Sequence, residues 1–240
     1  MEDYAYPEYQ AHVNDSTDYQ VYNNSAQQDA STEAVRETAG EVLKYKGNIV
    51  TTYYYSTSCG KTTTMKAWGT SENESNGYLQ SVEVKDKNGD YEKSLPWYRW
   101  EADIDQDILS ALLAENVKKN IGTVQSLEVT KIGPGGVALQ IKAVGDKGSI
   151  TVDTENKIRK ALGGNGYEIK KQDGTAVQSG TLLPSAFFKV KKAGNIFKII
   201  GGGYGHGIGM SQNGANEMAK KGKNYQEILQ MFYPGTTIEK

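Results

Sequence analysis

The sequence has a single cysteine, Cys59, so no disulfide can form within the chain and cysteine usage does not fix a redox compartment. Histidine is almost as scarce. His12 and His206 are the two copies, and neither stands at a recognised metal-ligand spacing from the other, from Cys59 or from a carboxylate, so no metal and no other cofactor is expected. No apolar run approaches the roughly 18 residues that a membrane-spanning helix needs. An excess of basic charge is missing too: 27 Lys and Arg against 29 Asp and Glu give a net charge of −2, which excludes the basic footprint of a nucleic-acid-binding surface. The opening "MEDYAYPEYQ" is acidic and polar, unlike a signal peptide. Either the protein is cytosolic or this chain lacks its export segment.

Phenylalanine is also rare, at 4 residues against 16 tyrosines, so most of the aromatic surface carries a hydroxyl. Such rings suit half-wet surfaces and the faces of sugars, and they also suit plain β-sheet packing. Composition leaves both readings open. Glycine is abundant, with 27 among 240 residues, while the hydrophobic and charged fractions of 37% and 23% are those of an ordinary globular chain.

The pattern along the chain reads as α+β: a strand-rich mixed domain of short antiparallel strands with a few edge helices. Residues 1–31 show little periodicity. Thr32 is placed to cap a short helix that Gly40 ends. "EVLKYKGNIVTTYYYSTSCG" reads as a β-hairpin turning at Lys46-Gly47-Asn48, and "YLQSVEVKD" as a further alternating strand. "DQDILSALLAENV" is the clearest amphipathic helix, with Gly122 as its stop signal. Short strands then recur: "VQSLEVTKIG", "GVALQIKAVGD", "GSITVDTE", "FFKVKKA" and "NIFKIIGGG". Helices are expected over Glu155 to Leu162, Met210 to Lys220 and Tyr225 to Phe232. The domain expectation is one unit over 1–240 with an inserted β-rich subdomain at roughly 100–180.

The chemistry-bearing stretch is "GGGYGHGIGMSQNGANEMAKKG", Gly201 to Gly222. It follows an apolar strand and precedes a helix. The dinucleotide pattern G-x-G-x-x-G fails at every start, because its last slot falls on His206, Ile208, Met210 or Gln212. The P-loop ending Gly-Lys-Ser/Thr is absent, and around Ser211 the nucleophile elbow G-x-S-x-G lacks its final glycine. The glycines do allow close approach of another surface to a bent backbone carrying His206, with Ser211 and Gln212 at the helix start. That surface suits a neutral ligand rich in hydroxyls and amides. Equally, Ser211 can serve as a helix cap and His206 as a partner of a backbone carbonyl, and the residues alone do not separate these readings. "YYYSTSCGKT" is similar in kind, a strand running into Ser56, Thr57, Ser58, Cys59 and Gly60. Nothing local supplies a base for Cys59, which reads as an inert thiol.

Two motifs together resemble the stage II sporulation protein D family, which includes the amidase-enhancer proteins. Tyr204 to Gln212, with Gly214 and Ala215, match its Gly-aromatic-Gly-His-Gly-aliphatic-Gly-Met-Ser-Gln run, and Tyr233 to Thr236 match its Tyr-Pro-Gly-Thr ending. "DSTDYQVY", "AVRETAGEVLKYKGNIVTTYYYSTSCGKT", Trp68, "LPWYRW" and "LPSAFFKV" resemble its middle blocks, so the likeness runs from about residue 11 onward. The resemblance implies peptidoglycan glycan strands denuded of stem peptides as substrate, and lytic transglycosylase chemistry. In that chemistry one glutamic acid protonates the glycosidic oxygen and then, as a base, helps the sugar's own hydroxyl close an anhydro ring. The family's catalytic glutamate lies in a helix upstream of "DSTDYQVY", and neither that run nor its neighbour is present, so the chain reads as an N-terminally truncated and inactive copy. Glu217-Met218 echoes the motif only superficially and takes no role from it. The resemblance also implies a glycan cleft lined by Ser56, Thr57, Ser58, Tyr204, His206, Ser211 and Gln212, and a cell-wall amidase as partner. It implies an extracytoplasmic setting, in the cell wall or between forespore and mother cell, with a membrane reached only through an anchor outside this chain. Where some members carry a zinc-binding Cys and His, this sequence has Asn14 and Asp18, so no zinc site is expected. The alternative function is a non-catalytic glycan binder that enhances an amidase.

Overall fold

The computed structural model describes residues 4–16, 19, 21 and 24–240. The chain divides into two units, one ending at Glu41 and including Lys240, the other Val42–Glu239. Among its described residues the first holds a 3-10 turn at Pro7–Tyr9 and one helix, α1 (Asp29–Glu37). None of its described residues is buried. Helix α1 starts earlier than the sequence suggests: its N-cap is Gln28, and the Thr32 hydroxyl donates to the Gln28 carbonyl at 3.0 Å instead of capping. Asp29 occupies the first turn, where the helix dipole favours an acid.

The second unit contains fifteen short strands and four further helices. Strands β1 (Val42–Tyr45) and β2 (Asn48–Ile49) form the expected hairpin. Its turn is the two residues Lys46-Gly47, with φ of 50° and 81°. Two successive positive φ angles match the strand twist, so Asn48 pairs with Tyr45 instead of turning. Strand β3 (Tyr54–Tyr55) follows, and then β4 (Lys85–Asp86) and β5 (Gly89–Asp90) make a small hairpin. The strand expected across "YLQSVEVKD" is thus reduced to its last two residues. The Thr62 hydroxyl accepts from the Val82 amide at 2.8 Å and the Ser81 hydroxyl donates to the Thr62 carbonyl at 2.7 Å, so side chains take bonds that a ladder would use.

Strand β6 (Trp100–Asp105) runs into α2 (Gln106–Val117), capped by the Asp105 carboxylate on the Asp107 amide at 2.8 Å. Helix α2 ends at Lys118, which takes a left-handed φ of 57°, and not at Gly122. Strands β7 (Val124–Ile132), β8 (Ala138–Gly145) and β9 (Gly148–Asp153) form an antiparallel meander. Helix α3 spans Glu155–Leu162 as the sequence indicates. Strands β10 (Glu168–Lys171) and β11 (Ala176–Gln178) went unread in the sequence, although the intervening Asp173-Gly174 is a turn signal. Strands β12 (Phe188–Ala193) and β13 (Ile196–Gly201) complete a five-stranded antiparallel sheet in the order β11-β10-β6-β13-β12. Strand β14 (Met210–Ser211) pairs parallel with β3, so the next helix, α4 (Gln212–Lys220), begins two residues later than the periodicity indicates. Helix α5 covers Tyr225–Phe232, and β15 (Thr237–Glu239) returns to pair with β1.

The architecture is α+β. Alternation builds the core: Trp100, Ala102 and Ile104 of β6 and Phe197 and Ile199 of β13 are buried, with Leu109 and Leu113 of α2 and Ile158 and Leu162 of α3. Each of these Ile, Leu and Phe side chains stabilises the fold by about 1.5–3 kcal/mol relative to exposure. No helix among the described residues is long and apolar enough to cross a membrane.

Candidate functional site

The two motif segments meet. Thr57 and Tyr204 exchange both backbone hydrogen bonds, at 3.1 and 2.8 Å, and the Thr63 amide donates to the Gly207 carbonyl at 2.7 Å. The Met210 amide reaches the Tyr53 carbonyl and the Asn213 amide reaches the Ser56 carbonyl, each at 3.0 Å. The result is a seam between 53–63 and 203–213. Gly203, Gly205, Gly207 and Gly209 all take positive φ, between 75° and 117°. Two of them show why glycine is needed. A Cβ on Gly209 would collide with the Tyr53 carbonyl oxygen, and one on Gly207 would lie 2.5 Å from the Phe187 ring. The close approach these glycines permit is therefore made by the chain's own backbone and side chains.

His206 lies inside the seam. Its Nδ1 accepts from the Ile208 amide at 3.1 Å, which leaves the proton on Nε2 to donate to the Tyr54 carbonyl at 2.9 Å. The ring packs between Tyr55 and Trp68, with centroids 5.5 and 5.0 Å away. Burial pushes its pKa down to about 4; the Tyr54 bond works against this, and the Arg159 charge adds to it. Trp68 is held from behind by Glu155, whose carboxylate accepts from Nε1 at 3.3 Å and pairs with Arg159 at 2.7 Å.

A residue that carried no sequence signal ties the two segments together. Glu92 is 0% exposed. Its Oε1 accepts from the Ser58 amide at 2.9 Å and the Ser211 hydroxyl at 2.7 Å, and its Oε2 accepts from the Ser58 hydroxyl. Burial raises its pKa, while the bonds from Ser58 and Ser211 pull the other way. Ser211 also caps α4 through the Gly214 amide at 3.2 Å. Ser58 and Ser211 are thus buried polar groups satisfied by one carboxylate. Cys59 sits beside them with its thiol pushed up by burial, which suits an inert group.

The exposed side of the seam presents different residues. Residues opposite one another in an antiparallel pair project to the same face, so Tyr204 and Thr57 share one. Tyr204 is 43% exposed and its ring packs 4.7 Å from Trp97. On the Thr57 side, Oγ1 lies 3.1 Å from the Ser56 hydroxyl and accepts from Asn213 Nδ2 at 2.9 Å. Gln212 is exposed at the start of α4. Of the residues singled out in sequence, Tyr204, Ser56 and Gln212 face or approach solvent, and Thr57 stands buried at the rim. Ser58, His206 and Ser211 are committed inside. Sequence reasoning missed Glu92, Asn213 and Trp97; "LPWYRW" signalled the last only as part of a block.

Asn14 belongs to the first unit, where its amide donates to the Tyr6 hydroxyl at 2.6 Å, and Asp18 lies outside the described residues. Among the described residues, no three His, Cys, Asp or Glu side chains come together as a metal site.

The seam is thus a run of alternating glycines clasping a small-residue strand on an α+β scaffold. Residues 61–209 match the family described as "Domain of unknown function (DUF8618)", and the chain belongs to that family. It is also similar, at 27% identity over 94% of its length, to 35% of the protein named Amidase enhancer in Bacillus subtilis (strain 168). It is 29% identical, again over 94% of its length, to 59% of Stage II sporulation protein D of the same strain. An uncharacterized protein of Brachyspira hyodysenteriae (strain ATCC 49526 / WA1) is 32% identical over 94% of this chain and 53% of its own. The chain therefore spans between about a third and three fifths of these relatives. Two of the names are those that the C-terminal motif resembles.

Proposed function

We propose that the exposed face of the seam binds glycan strands of peptidoglycan. The observation that carries this reading is the Trp97–Tyr204 pair on the same face as a polar rim of Ser56 and Asn213, which the buried Thr57 hydroxyl backs. Aromatic faces pack on the C–H face of a sugar while hydroxyls and amides take its polar edge. Gln212 extends the rim, and Ser58, His206 and Ser211 act from behind by holding the backbone. The names Amidase enhancer and Stage II sporulation protein D support a role in the cell wall during sporulation, outside the cytoplasm, alongside a wall amidase.

The seam supports binding better than cleavage. A general acid must reach the glycosidic oxygen. The carboxyl that the seam contains, Glu92, is enclosed and fully engaged by Ser58 and Ser211. Transglycosylase chemistry of the kind the family resemblance implies would need a different carboxyl.

The test is retention on sedimented glycan strands stripped of stem peptides, with peptide-bearing peptidoglycan as comparison. Binding to the stripped strands, falling at least fivefold in Tyr204→Ala and without anhydro-ended products in the supernatant, is the expected result. Unchanged retention in Tyr204→Ala and Trp97→Ala would sink the binding assignment, and anhydro products would show that a catalytic acid is at hand.

A further inference from the structure

Helix α3 belongs to neither motif, yet its buried charges reach the seam. Glu155 and Arg159 are both buried and pair one turn apart at 2.7 Å. A buried ion pair adds little net stability, because the desolvation of two charges offsets their attraction. This pair extends in two directions. Glu155 Oε2 accepts from Trp68 Nε1 at 3.3 Å, and the Trp68 ring packs on His206 at 5.0 Å. On the other side, Arg159 Nε donates to the Leu183 carbonyl at 2.8 Å, and the Leu183 amide returns a bond to the Arg159 carbonyl at 3.0 Å.

The stapled segment 183–187 then grips the glycine run. The Pro184 carbonyl accepts from the Gly205 amide at 2.8 Å. The Ser185 hydroxyl donates to the Gly202 carbonyl at 2.6 Å, and the Gly202 amide donates to the Phe187 carbonyl at 3.0 Å. Gly202 lies before Tyr204, and Gly205 and His206 follow it, so both arms of the pair end at the backbone that carries Tyr204. A glycine-rich backbone has wide conformational freedom and must be pinned from outside to hold one side chain in place.

A second observation falls at the root of α3. Thr154, the residue before Glu155, takes φ 73° and ψ 144°, a backbone that glycine adopts and β-branched residues avoid. Its amide donates to the Leu139 carbonyl and its carbonyl accepts from the Ile158 amide, each at 3.0 Å, so its surroundings hold it there. Gly69, next to Trp68, lies against its methyl group, where a Cβ would stand 3.3 Å away. Strain of this kind gathers where geometry serves a function.

We infer that Glu155 and Arg159 are positioning residues that set the placement of Tyr204 on the exposed face of the seam. That this face takes a ligand rests on the glycan reading above; the positioning rests on the bonds just described.

The experiment records the Gly202 and Gly205 amide signals and the Trp68 indole signal of the 15N-labelled chain, together with strand retention. Arg159→Lys keeps the charge but not the planar fork that serves Glu155 and Leu183 at once. It is expected to move both glycine signals and to lower retention about fivefold. Glu155→Gln keeps an acceptor for Trp68 and removes the charge that orients Arg159. The indole signal is expected to stay while the glycine signals move, which keeps the test valid where Arg159→Lys fails to fold. Leu127→Ala, a buried change in the β7–β9 sheet, is the control that lowers Tm at least as far. It is expected to leave all three signals in place and retention within twofold. Glycine signals unmoved in both α3 variants, or an equal loss of retention in Leu127→Ala, would overturn the positioning role. A wild type that holds no strands would sink the glycan reading alone, and the glycine signals would still decide what the pair does.

Discussion

In the β7–β9 sheet the buried side chains are apolar, among them Val124, Leu127, Ile141, Ile150 and Val152; at the seam the buried Thr57, Ser58, Thr63, Glu92 and Ser211 are polar and stand beside the buried Tyr55 and Ile208. Both regions exclude water, and they respond to damage differently. The sheet is held by many small dispersion and burial contributions, so losing one methylene costs in proportion, about 0.8 kcal/mol. At the seam, three donors from two segments share one carboxylate. Removing it leaves the Ser58 hydroxyl without its acceptor and leaves the Ser58 amide and the Ser211 hydroxyl with only their longer bonds to Ser211 Oγ and the Ser56 carbonyl, at 3.2 and 3.4 Å, and a buried unpaired polar group costs about 1–3 kcal/mol. Graded packing and all-or-none polar closure thus coexist in one unit.

The contrast breaks most visibly at Glu92. Glu92→Ala is expected to lower stability by about 4 kcal/mol in denaturant titration, whereas Glu92→Gln, which keeps the shape and one acceptor, loses about 1 kcal/mol. Equal losses would mean that the seam is held by packing alone.

Next comes pH. The half-buried His206 has its native pKa pushed down to about 4, below its ordinary 6.5. As pH falls below 6.5 the unfolded chain takes up a proton that the native ring refuses until about 4. The contribution of His206 is therefore full above 6.5 and drains between 6.5 and 4, by on the order of 3 kcal/mol. Glu92 acts in the opposite sense, since its raised native pKa favours folding at low pH and costs stability as pH rises through it. Comparing the Tm of wild type with that of His206→Gln at each pH cancels the Glu92 part. The difference should shrink from pH 7 to pH 4, and a constant difference would show that His206 titrates normally. The smallest effect is expected in the sheet: Ile141→Val should cost about 1 kcal/mol in the same titration and leave strand retention unchanged.

The same contrast explains what was legible beforehand. Alternation and helical spacing mark β7, β8, β9, α3 and α5 because local burial follows a period that the sequence repeats. The segments 53–63 and 201–212 also stood out, as a small-residue strand and a glycine run. Their pairing did not, because it is set by contacts between residues such as Ser58 and Ser211, 153 positions apart, and by a lone Glu92 within the unremarkable "DYEKS". Where side chains replace the ladder, as Thr62 does opposite Val82, period-2 alternation misleads. The glycines allow close approach of another surface, and the surface that approaches is the chain's own Tyr53, Tyr55 and Phe187.

The carbonyl of Tyr53 accepts from the Met210 amide at 3.0 Å and from the Tyr233 hydroxyl at 2.7 Å, a partner 180 positions further on. That bond sets an order of assembly. During synthesis, at roughly 5–20 residues per second, the β7–β9 meander can close on itself while the small-residue strand is still waiting for its clasp. The seam is completed only once Tyr233 has emerged, so the face proposed to bind glycan forms well after the meander.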